Sequence, residues 1–211
     1  MRGIRGHLST QYYVSWACIE GAKIVMKVTE TLYVSTREDW RRWLQENHSS
    51  KEEVWLVSYR KGTGQPSLPY NVAVEEALCF GWIDSIRKGI DDEKYAQRFT
   101  PRKPASGYSQ TNKERLVRLA AEGKLIPEVL GKLQKNRPEE YHIPEDILHA
   151  LKSDEAAWEF FKSTSPSYQR IRGAYVDAAR NRPGEFEKRL INFVQKSASG
   201  KQFGYHIEDF Y

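Results

Sequence analysis

The chain reads as an α+β protein: a mixed N-terminal module with a small, mostly antiparallel sheet and packed helices, followed by a small helical C-terminal module. Three observations carry this. Short β-rich runs bounded by turn residues fill the first part, apolar residues at helical spacing fill the last part, and a segment with two prolines and two glutamates, Arg137 to Pro144, separates them.

Residues 1 to 27 show no period and read either as an extension upstream of an alternative start at Met26 or as a poorly packed arm. Module boundaries follow at 28–135, 136–144 for the linker, 145–200 for the helical part and 201–211 for a tail. Thr31 to Val34 reads as a strand. Ser35 or Thr36 then caps a helix with Glu38 and Asp39 in its first turn, where the helix dipole favours acids, and Trp40, Trp43 and Leu44 form its apolar face. Val54 to Tyr59 is a second strand, leaving into the turn Lys61-Gly62-Thr63-Gly64. Asn71 is placed to cap a helix from Val72 to Phe80, and Gly81 to end it in the left-handed conformation. On this helix Ala73, Ala77 and Phe80 point inward, and Glu75 and Glu76 read as a solvated face.

Trp82 to Ile90 and Tyr95 to Thr100 form an antiparallel pair around the acidic turn Asp91-Asp92-Glu93, with Pro101 and Pro104 stopping the second strand. Ser109 precedes a helix over 112–123, closed by Gly123, with Leu116, Leu119 and Ala120 inward. Beyond the linker, 145–151, 154–162, 165–181 and 183–196 read as successive helices. Phe160 and Phe161 anchor the second, and Phe186, Leu190 and Phe193 the last. No repeat or low-complexity segment interrupts this order.

Composition narrows the function classes. The 211 residues hold two cysteines, Cys18 and Cys79, too few for a disulfide framework or a thiolate zinc site, which fits a reducing, cytoplasmic setting. No metal site and no cofactor fingerprint is expected, and no apolar run of about twenty residues exists to span a bilayer. The net charge is a modest +5, but Arg87 to Lys103 holds six bases against three acids. Such a local excess suits a small anion or an acidic partner better than a nucleic acid, which needs a longer basic surface.

Within that excess, Arg98, Thr100 and Arg102 share one face of an extended strand, two guanidiniums flanking a hydroxyl. Lys61 from another loop, Ser106 as a further donor and Tyr70 at the rim complete a candidate ligand site. The alternative is structural: Arg98 and Arg102 pairing with Asp84, Asp91 or Asp92 to knit the sheet. Two weaker catalytic candidates stand beside it. Asp84, next to Trp82, could act as a general base or pair with an arginine, and Cys79 could be a nucleophile or a packing residue; its place near a helix C-terminus favours packing. The large aromatics Trp40, Trp43, Trp55 and Phe80 read as core.

Two segments, Tyr70 through Ser85 (YNVAVEEALCFGWIDS) and Tyr95 through Asn112 (YAQRFTPRKPASGYSQTN), are similar to motifs of the YdeI/OmpD-associated family. The region from Ile143, including SPSYQRIRGAYVDAARNRPGEFEKRLINF, resembles the small C-terminal domain of that family, so the likeness spans roughly residues 30 to 200. Tyr108 stands where the family tends to have tryptophan, and Ala178-Ala179-Arg180-Asn181-Arg182 departs from the more basic family stretch. The resemblance implies a stress-response protein associated with a porin and with bacteriocin protection. It implies no particular reaction.

Overall fold

The computed structural model describes residues 27–103, 107–135 and 141–211. Met26, Cys18, Ser106 and the proposed extension lie outside them. Within the described residues the chain is α+β, with four strands confined to the N-terminal half and only helices after it.

The sheet has the order β1-β2-β4-β3, from β1 (Thr31–Tyr33), β2 (Val54–Tyr59), β3 (Trp82–Gly89) and β4 (Lys94–Pro101). β1 runs parallel to β2 because α1 (Arg37–Asn47) carries the chain back between them; the two other pairings are antiparallel. Thr36 caps α1, its Oγ1 accepting from the Asp39 amide at 3.2 Å. Strand alternation turns Val54, Leu56 and Phe99 toward the helices, where they enclose Trp40, Leu44, Ala77, Leu78 and Leu116. Of the three buried indoles among the described residues, Trp40 donates to the Ala73 carbonyl and Trp82 to that of His48, each at 3.0 Å, while Trp55 Nε1 has no hydrogen-bond partner.

α2 (Tyr70–Cys79) starts earlier than its sequence suggests. Pro69, not Asn71, is its N-cap, since the ring fixes φ at −57° and the Pro69 carbonyl already accepts from Ala73. Gly81 ends it as expected, at φ +73°. Glu75 and Glu76 correct the sequence reading, being 5% and 1% exposed. Arg37 and Arg41 of α1 and Arg118 of α3 (Gln110–Ala121) surround them, so the helix face that looks solvated in isolation is buried against cations. Ser109 caps α3 through the Asn112 amide.

α4 (Pro127–Lys135) has no counterpart in the sequence reading, although Pro127 at its first position is a recognisable start signal. The C-terminal half comprises α5 (Glu145–Lys152), α6 (Glu155–Ser163), α7 (Pro166–Asp177) and α8 (Glu185–Ala198). Ile147, Leu151, Ala157, Phe161, Val176 and Phe193 form a second core. A third, smaller cluster joins Tyr168 and Ile171 of α7 to Ile207 and Phe210, so the terminal segment is packed into the molecule.

Candidate anion-binding cleft

β4 delivers its last residues to the N-terminal end of α3. The amide of Arg102 donates to the Gly81 carbonyl at 2.9 Å, which fixes the strand end beside the α2–β3 turn. Between strand end and helix lies a cleft of about 810 Å³, lined among others by Arg98, Thr100, Arg102, Lys103, Tyr108 and Asn112. Arg98 and Thr100 share a strand face, as their spacing requires. The Arg102 guanidinium lies over the Tyr108 ring, 3.5 Å from its centroid. The first turn of α3 carries no acid, and its leading amides point out of the helix with the positive end of the dipole.

Arg98 has a partner that the sequence reading did not consider. Its Nε donates to Glu53 at 2.6 Å, and Glu53 also accepts from Thr29. Burial alone would raise the Glu53 carboxyl, but the Thr29 hydroxyl and the Arg98 guanidinium outweigh it and hold the group below its ordinary range. Two of the three expected partners are engaged elsewhere: Asp91 pairs with Lys94 at 3.2 Å, and Asp84 accepts from the Tyr70 hydroxyl at 2.7 Å. Arg98 is therefore a paired wall of the cleft, with Arg102 at the α3 end.

Lys61 does not join this group. It follows β2 at the sheet end where Tyr59 pairs with Lys94, whereas Arg98 pairs with Trp55 at the other. Strand length separates the two ends. Ser106 lies outside the described residues. Tyr70 reaches the site indirectly, through Asp84, which also lines the cleft. Burial first, and then the Asp84 charge, raise the Tyr70 hydroxyl pKa, so it stays a donor at neutral pH.

Asp84, Ser109 and Asn112 also line a second cavity of about 300 Å³, with Tyr70, Thr111, Arg115, Tyr205 and His206. His206 stands in the left-handed region at φ 58°, its ring 4.2 Å from that of Tyr70. Burial, and then Arg115 and Arg87 against the opposing pull of Glu208 and Asp84, lower its pKa. Sequence alone could not bring Glu53 to Arg98 or His206 to Arg115, because these partners lie 45 and 91 positions apart along the chain.

Cys79 is fully buried in the first core. Burial, reinforced by the Glu76 charge, pushes its thiol up to about 11 despite nearby Arg41. Burial and a raised pKa are the features of a packing thiol. Among the described residues, no three His, Cys, Asp or Glu side chains gather to hold a metal, and no helix is long and apolar enough to cross a membrane.

Comparison with known proteins divides the chain at about the same place as its cores. Residues 32–132 match the family model of a domain of unknown function (DUF8412), and residues 140–200 match that described as Bacteriocin-protection, YdeI or OmpD-Associated. The N-terminal motifs thus fall within a separate family model, while the C-terminal resemblance holds. No curated protein and no solved structure matches.

Proposed function

We propose that this chain, whose residues 140–200 match the Bacteriocin-protection, YdeI or OmpD-Associated family model, is a binding protein that takes a small anionic ligand in the cleft between β4 and α3. The observation that carries the reading is the Arg102 guanidinium seated on Tyr108, beside the Thr100 hydroxyl and an acid-free helix N-terminus. A stacked guanidinium has lost rotamer freedom before the ligand arrives, and arginine is the side chain whose planar fork suits phosphate or carboxylate. The volume of the cleft falls within the range of small-molecule sites, which favours a ligand over the face of an acidic protein.

Binding without catalysis is the better reading, because Asp84 already holds a hydroxyl and Cys79 is enclosed. A nucleic-acid surface is disfavoured, since Glu52, Glu53 and Asp84 interrupt the basic residues of the cleft. In this reading the protein works in the cytoplasm in a stress response, as its family suggests.

Thermal melting of the full chain with inorganic phosphate, a sugar phosphate and a dicarboxylate tests the proposal. A ligand at a hundred times its dissociation constant adds about 2.7 kcal/mol, roughly 5 °C or more for a chain of this size. The gain is expected to vanish in a folded Arg102→Ala variant. A gain of the same size in that variant would overturn the assignment.

A further inference from the structure

The smaller cavity has walls of opposite charge. On one side stands Arg115, only 4% exposed. Its Nη1 donates to Asn112 Oδ1 at 3.1 Å and its Nη2 to the His206 carbonyl at 2.5 Å, while its Nε has no partner. Both partners are neutral. No carboxylate among the described residues lies within ion-pair distance, and Glu75 and Asp209 act on Arg115 only through space. A guanidinium withdrawn from water without a counter-ion is costly, and the cavity it lines is where an anion could offset that cost. The same wall carries Ser109, Thr111 and Asn112, the acid-free first turn of α3.

On the other side is Asp84. Its Oδ2 accepts from the Tyr70 hydroxyl at 2.7 Å and, more loosely, from Gln97 at 3.5 Å, whereas its Oδ1 accepts from no described residue. Tyr70 and the His206 ring supply aromatic surface, with Tyr205, 81% exposed, beside them. A simple anion entering here meets the Asp84 charge, and a simple cation meets Arg115. A molecule bearing both charges satisfies both walls.

We propose that this cavity binds a free α-amino acid, its carboxylate on Arg115 and the leading amides of α3 and its ammonium on Asp84 Oδ1. The cavity is at the small end of the range for ligand sites, which suits an amino acid. The cavity shares Asp84, Ser109 and Asn112 with the proposed anion cleft, but the inference turns on Arg115 and on the unused oxygen of Asp84, not on Arg102.

Calorimetric titration of the full chain with each of the common α-amino acids is the test, followed by the amide and the N-acetyl derivative of the best binder, which keep one charge each. Saturable binding is expected, with both derivatives weakened by about tenfold or more. Asp84→Asn keeps an oxygen for the Tyr70 hydroxyl and removes the charge, and should weaken the amino acid by a similar factor in a protein that melts normally. Arg115→Gln should do the same; where loss of its tail contact prevents folding, Asp84→Asn carries the test. The proposal is overturned if no amino acid binds, if one singly charged derivative binds as well as its parent, or if Asp84→Asn retains full affinity.

Discussion

Glu76 is 1% exposed and accepts from Arg37 at 2.6 Å and from Arg41 at 2.7 Å, next to Glu75, which holds Arg37 and Arg118. Removing Glu76 takes a partner from Arg37 and Arg41, whose side chains are 32% and 31% exposed and so can be partly rehydrated. Glu76→Ala is accordingly expected to cost about 2 kcal/mol in denaturant unfolding, against a few tenths for an exposed carboxylate such as Glu128. Two adjacent glutamates in a helix look solvated from the sequence, because their cations lie 35 to 43 positions away. Cys79 was legible for a local reason: its place at a helix C-terminus argues against an activated thiolate. With Cys18 replaced by serine, thiol labelling of the folded protein should be slow and should follow unfolding; rapid labelling at neutral pH would show an accessible Cys79.

Turns and caps were the most legible elements, since each is written in a few neighbouring residues. Gly81 shows why. It sits at φ +73°, and a Cβ there would lie 3.3 Å from Val129 Cγ2 on α4. Gly81→Ala should therefore lose about 1–2 kcal/mol, through backbone strain and the crowding of α4, and a melting temperature unchanged from wild type would contradict this. The start of α2 was misread because Asn71 is a good cap by type, whereas Pro69 wins by fixed geometry. Partner choice across the sheet was not legible. Alternation put Arg98 and Thr100 on one face, but only the long-range placement of Glu53 beside Arg98 decides how that arginine is paired.

Glu114 of α3 is one of the groups that join the two halves; it accepts from Arg170 Nε at 2.6 Å and Nη2 at 2.7 Å and from Ser167 at 2.8 Å on α7. The terminal segment adds Ile207 and Phe210 to the same junction. Burial would raise the Glu114 carboxyl, but Arg170, Ser167 and Gln110 together depress it. A depressed carboxylate contributes stability that is complete above its unfolded value, about 4.3, and is lost as pH falls through the lower folded value. Calorimetry should show one cooperative transition at neutral pH, weakening below about pH 4. Glu114→Gln should broaden or split that transition at neutral pH and flatten its acid dependence; an unchanged single transition would show that the tail alone couples the halves. The division into a mixed and a helical part was visible in the change of period along the sequence, but the junction was not, because Glu114 and Arg170 are 56 positions apart.

The proposed anion cleft is tested most directly by following backbone amide shifts while the isotopically labelled full chain is titrated with inorganic phosphate. A saturable response centred on Thr100, Arg102 and the first turn of α3, and absent in Arg102→Ala, is the result expected. Shifts scattered over exposed lysines, or a response that survives Arg102→Ala, would contradict it.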